Sequence, residues 1–146
     1  FIGLNPSKAS SKLNDPTIRR LLYFCNKFNY GNLIVVNLFA KISSSPHAIK
    51  KSLDPIGSKN DEELSKWFLA WANHPLIDLW TGWGDKGVLK NRNLQVMSLL
   101  RLNALIRSSQ YPEALGPLSL GLTIKGHPRH PLYISNRAIL KPVKFY

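Results

Sequence analysis

Four short segments of the 146-residue chain carry side chains suited to binding or transforming a small polar ligand, and each follows or interrupts an apolar run. Asn5-Pro6-Ser7 follow the run at residues 1–4. Asn37 stands inside the run at 33–39. Trp83 and Gly84 belong to a glycine-rich loop after residues 76–80, and Gly126-His127-Pro128-Arg129-His130-Pro131 follow 118–124. An unpartnered amide buried in a strand costs ~1–3 kcal/mol. Asn37 therefore either bridges to a neighbouring loop or presents its amide edge to the carbonyl and imide groups of a ligand. Asn5 has the same two options, capping the Ser7 loop or positioning a water. Prolines pin the backbone around His127 and His130, and an imidazole held there can donate a hydrogen bond to a developing anion; otherwise the two histidines only solvate a surface turn. Trp83, between two glycines, is a candidate for stacking on a base.

Other chemistries fit less well. Gly82, Gly84 and Gly87 match G-x-G-x-x-G between a strand and a helix, yet they follow the third strand rather than the first. About 20 residues on, where a ribose-binding acid belongs, the chain reads Ala104-Leu105-Ile106-Arg107. A plain turn with close backbone approach explains such glycines equally. His127 and His130 make a poor zinc pair, because His47 and His74 lie in distant segments and no acidic residue follows Glu113. No metal and no cofactor is expected. A single cysteine, Cys25, has no internal partner for a disulfide and points to the cytosol.

The elements that must position these residues alternate. Residues 1–4 predict a strand end. Asp15-Pro16 supply a helix cap and first turn, with Ile18, Leu21, Leu22, Cys25 and Phe28 on one face and Gly31 as the stop. Residues 33–39 predict a strand covered on both faces, and 46–53 a short helical turn. Ser58 with Asp61-Glu62-Glu63 predicts a second long helix, with Leu64, Trp67, Phe68 and Trp71 inward and Pro75 at its end. A third strand at 76–80, a helix at 93–107 and a fourth strand at 118–124 complete the pattern. This order predicts one α/β domain over 1–146, with a central, mostly parallel four-stranded sheet between helices, and ligands at the carboxyl ends of the strands. The chain opens on Phe1 in mid-strand, so a preceding segment is expected.

The composition is that of a globular protein, 44% hydrophobic and 19% charged, with no run of the length a membrane span requires. Twenty Lys and Arg against eight Asp and Glu give a formal charge of +12, split as +3 over residues 1–85 and +9 over 86–146. Such an excess favours a polyanionic partner or an anionic ligand, and places phosphate contacts in the last 61 residues.

Taken in order, GLNPS, VVNLF, LWTGWG and GHPRHPLY resemble the motifs of the uracil-DNA glycosylase superfamily. There a G-x-[DN]-P segment is followed by a strand ending in Asn, an L-W-G segment and a late H-P-S-P loop. More closely, GLNPS, DPTIRR, VVNLFA and GHPRHPLY resemble an uncharacterised domain-of-unknown-function family of bacteria and phages. The superfamily resemblance implies a three-layer α/β/α sandwich with a nucleobase or nucleotide pocket, and hydrolysis of an N-glycosidic bond in DNA. The alternatives are a non-catalytic nucleic-acid-binding module and a hydrolase of modified free nucleotides. It further implies that Asn5 positions water, Asn37 reads the base edge and His127 stabilises the leaving base. Pro6, Ser7, Trp83, Gly84, Arg129 and His130 are then the remaining binding residues. Asn5 matches the asparagine-bearing branch, in which an amide orients water but cannot accept its proton. An extra residue separates the prolines of the last motif, so His130-Pro131 competes with His127-Pro128. His127 is favoured because it follows the strand and Gly126 directly.

Overall fold

A computed structural model of the chain describes residues 1–7, 15–43 and 45–143. The four apolar runs lie side by side in it as β1 (Ile2–Gly3), β2 (Val36–Asn37), β3 (Trp80–Thr81) and β4 (Leu118–Ser119), joined by an edge strand β5 (Lys141–Pro142) in the order β2-β1-β3-β4-β5. The first four pair in parallel, and β5 runs antiparallel to β4. The fold is thus α/β with a mostly parallel sheet of five strands rather than four. β5 escapes sequence reading because Lys141 and Pro142 are exposed and carry no apolar pattern, and a proline suits an edge strand.

The ladders are shorter than the apolar runs. Single backbone bonds extend them, from Val36 N–H to Phe1 O (2.9 Å), Leu38 N–H to Gly3 O (3.0 Å) and Leu118 N–H to Leu79 O (2.8 Å). The largest departure is in 118–124. β4 ends at Ser119, and after Gly121, at φ +150°, Leu122 pairs antiparallel with Pro128 in a hairpin. That hairpin is closed by Thr123 N–H to His127 O (2.8 Å) and Gly126 N–H to Thr123 O (2.9 Å).

The helices are α1 (Pro16–Lys27), α2 (Pro46–Lys51), α3 (Asn60–Ala72) and α4 (Arg92–Gln110). Successive strand residues point to opposite faces. Ile2 and Leu79 pack with Ile49 of α2, Phe68 and Trp71 of α3 and Val96 and Leu100 of α4. Phe1 and Trp80 pack with Phe24 and Cys25 of α1, together with Leu118 and Ile134. Helices therefore cover both faces. None is long and apolar enough to cross a membrane, among the described residues.

Two expectations about polar residues need correction. Ser58 does not cap α3, whose first turn begins after Lys59 without a side-chain cap. Asn60 instead donates its amide to the carbonyls of Asn37 (3.1 Å) and Leu38 (3.0 Å), which fixes the end of β2. Arg92 and Arg107, counted by sequence among the phosphate-binding cations, are each 1% exposed. Arg92 donates to Leu38 O (2.8 Å) and pairs with Asp61. Arg107 donates to the carbonyls of Trp71 in the last turn of α3 and of His74, Pro75 and Ile77 beyond its end.

Candidate functional site

The parallel register sets Gly3 beside Asn37, so the chain leaves β1 and β2 at the same edge of the sheet. A cleft of about 270 Å³ opens there, lined by Asn5, Pro6, Ser7, Asp15, Asn37 and His130, with Phe1 and Gly3 beneath. A Cβ on Gly3 would stand 2.7 Å from Asn37 Oδ1 and 3.2 Å from the Phe1 ring, and one on Gly82 would stand 2.5 Å from that ring. Only glycine lets the amide and the ring lie against the strand ends.

Asn37 and Asn5 divide the two roles that sequence leaves open. The backbone carbonyl of Asn37 accepts from Asn60, while its side-chain amide makes no hydrogen bond with any described residue. Its donor and its acceptor are both free to meet a ligand. The Asn5 NH2 group is instead committed to backbone carbonyls, at 2.9 Å from Pro6 O and 2.7 Å from Ser43 O. This ties the loop after β1 to the loop after β2 and leaves Oδ1 as the group Asn5 can offer, an acceptor for a water proton.

Asp15 is a residue that sequence reading took only as a helix cap. It does cap α1, accepting from Thr17 N–H (2.7 Å) and Ile18 N–H (3.1 Å). It also lines the cleft, 8% exposed, and accepts a hydrogen bond from the Ser7 hydroxyl. Burial pushes its pKa up, but the Ser7 hydroxyl and the two backbone amides outweigh that and hold it below the usual carboxylate value. The cleft thus contains a carboxylate that stays ionised. The signal for it was present in the order Ser7…Asp15, but only the fold shows that Asp15 faces Ser7.

His130 shares this cleft. Its Nδ1 accepts from Leu132 N–H (3.4 Å), which places the imidazole proton on Nε2. Burial lowers its pKa against the opposing pull of Asp15, so it is a neutral donor near pH 7. His127 is elsewhere. The hairpin carries it to the other side of the 126–131 segment, into a separate groove that also holds Trp83. The expected clustering of Asn5, Asn37, Trp83 and His127 around one cleft is therefore not what the structure shows. Trp83 is 2% exposed and packs in the core, which excludes the stacking role. Arg129 is exposed and lines neither space; its N–H donates to Gly121 O (2.8 Å).

The glycine-rich loop is accounted for by packing. Gly82 underlies Phe1. Gly84, at φ +68°, donates to Pro128 O (2.7 Å) beneath His130, and a Cβ on Gly87 would stand 2.2 Å from the Trp83 indole. The spaces a phosphate would need are filled by protein. A family model described as a protein of unknown function (DUF1643) matches residues 1–132. No curated protein and no solved structure matches the chain.

Proposed function

Because the chain belongs to the DUF1643 family of proteins of unknown function, its activity must be read from the cleft, and we propose that the cleft binds a nucleobase of nucleic acid and hydrolyses its N-glycosidic bond. The reading takes the fold as uracil-DNA-glycosylase-like. The observation that carries it is the free amide of Asn37, held over Gly3 at the carboxyl ends of two parallel strands. An amide with its N–H donors and its acceptor unspent matches the adjacent carbonyl and imide N–H of a pyrimidine or purine edge.

In this reading the base leaves the stack and enters the cleft, where Asn37 pairs with it. Oδ1 of Asn5 accepts a hydrogen bond from the attacking water and so orients it toward the sugar carbon. As the glycosidic bond breaks, its electron pair leaves with the base, and the Nε2–H of His130 donates to that anion. The ionised Asp15 favours the positive charge developing on the sugar, as carboxylates do in glycoside hydrolysis generally. The water proton is lost to solvent. His130 thereby takes the role that the sequence resemblance assigns to His127.

A second reading, a nucleic-acid-binding module without catalysis, is favoured by one feature: the carboxylate of Asp15 is occupied by three donors, and Asn5 cannot accept a proton outright. A panel of modified-base oligonucleotides assayed for alkali-labile abasic sites separates the two. Scission that is lost in Asn37→Ala supports the hydrolase. A gel shift sensitive to Asn37→Ala without scission supports the binding module, and neither effect with any base rejects the nucleobase reading.

A further inference from the structure

The groove that receives His127 has features of a second binding site. It lies between α4 and the 122–128 hairpin, is open to solvent with a volume of about 720 Å³, and sets Asn93, Ser98, Arg101, Lys125 and His127 among otherwise largely apolar lining residues over a floor of Trp83. No acidic residue is among its described lining residues. Arg101 and Lys125 are exposed and take part in none of the ion pairs of the described residues. Asn93, in contrast, is only 9% exposed, and its side-chain amide makes no hydrogen bond with any described residue. Its amide atoms are not sealed in protein but open onto the groove, where a ligand can meet them. Asn93 and Leu94 belong to the first turn of the 19-residue α4, which forms one wall of the groove.

These groups share one preference. An amide N–H, a guanidinium, an ammonium and an imidazole, with no carboxylate among the described lining residues, suit the oxygens of a phosphate. The hairpin that brings Lys125 and His127 to the groove is held by its own backbone bonds and by the Thr123 hydroxyl, which donates to Asp85 (2.6 Å). The site is therefore preformed on both walls. The single segment Gly126–Pro131 has the groove on one side, at His127, and the cleft on the other, at His130.

We propose that this groove binds the phosphate of the strand or nucleotide whose base enters the cleft, through Asn93, Arg101, Lys125 and His127. The identity of the phosphate donor rests on the nucleobase reading; the phosphate site itself does not. The test is binding of a single-stranded oligodeoxynucleotide, titrated over a range of salt, to the full chain and four variants. Arg101→Glu/Lys125→Glu is expected to weaken binding by about tenfold or more at low salt and to flatten the salt dependence by ~0.7 log units for each phosphate no longer neutralised. Asn93→Asp, nearly isosteric, is expected to weaken it by about tenfold through a carboxylate set against the phosphate. Lys50→Glu/Lys51→Glu makes the same change in net charge on exposed residues of α2 that line neither space, and should alter binding by less than about threefold. Wild-type affinity retained in the Arg101/Lys125 variant, or an equal loss in the α2 control, would overturn the proposal. Binding that depends on the groove residues but shows no base preference and no response to Asn37→Ala leaves the groove standing and removes the cleft reading. Competition by a nucleoside monophosphate and by inorganic phosphate identifies the source. Displacement that Asn93→Asp abolishes supports a free nucleotide, and binding of the oligonucleotide alone supports a strand. Failure of all three ligands to bind the wild-type protein rejects the site.

Discussion

In the proposed reaction the imidazole that donates to the departing base is that of His130, which lines the cleft with its tautomer set by the Leu132 N–H on Nδ1. Removing a preorganised donor to a developing anion costs about 100- to 1000-fold in rate. His130→Ala should therefore slow single-turnover base release by that factor, while His127→Ala, in the groove, should act on affinity more than on the bond-breaking step. The reverse order of severity would return the catalytic role to His127. Asp15 carries a second prediction. Its folded-state pKa is depressed, so its contribution to stability is fully present above the unfolded value of ~3.9 and is lost as pH falls through the lower folded value. Asp15→Asn retains a good N-cap residue but not the charge. Thermal melts from pH 2 to 7 should show the variant less stable than wild type above about pH 4, with the difference closing at lower pH. A constant difference across that range would show that Asp15 acts only as a cap.

Among the elements, those announced by local chemistry were legible in the sequence. Asp15-Pro16 start α1 as the cap rules require, and α4 spans the helix predicted at 93–107 with little extension. Wherever tertiary packing decides, the sequence was silent. Phe24, fully buried, was absent from the predicted apolar face of α1, whereas Leu22 on that face is 43% exposed. The 118–124 run reads as one strand because nothing local marks Gly121 as the point where the chain turns back, and that reversal is what exchanges the places of His127 and His130. Asn5, Pro6, Ser7 and Asn37 were legible as cleft residues because each sits at a strand end, where topology alone delivers it. Arg107 shows the limit most clearly, since a charged residue in an apolar helix reads as surface. Here its guanidinium gathers four carbonyls at the α3 exit. Arg107→Met removes all of those bonds and should cost about 3 kcal/mol or more, measured as a shift in the urea midpoint without a change of slope. A loss below about 1 kcal/mol would mean that water replaces the guanidinium freely.

For the molecule as a whole, the net charge of +12 is the dominant unbalanced quantity. Two basic residues of the last 61, Arg92 and Arg107, are absorbed by the core, but Lys86, Lys90, Arg101, Lys125, Arg129, Arg137 and Lys141 are all exposed. The described residues form two ion pairs, and one of these belongs to buried Arg92. Most of the positive surface is therefore uncompensated, and it crowds onto the half of the chain that builds the groove and the hairpin. Self-repulsion of this kind destabilises the compact state at low ionic strength and is screened when the Debye length falls to ~10 Å at 0.1 M salt. A protein held by many surface pairs would lose stability on adding salt, whereas this one should gain it. Raising sodium chloride from about 0.01 M to 0.15 M should increase Tm by ~2–4 °C for each 1 kcal/mol of repulsion relieved. The gain should shrink in Arg101→Glu/Lys125→Glu, because that change removes two exposed cations that line one groove and adds two negative charges. If Tm instead falls with salt in the wild type, the exposed cations are engaged in favourable pairs, and the groove loses the unpaired charge that makes it a site for phosphate.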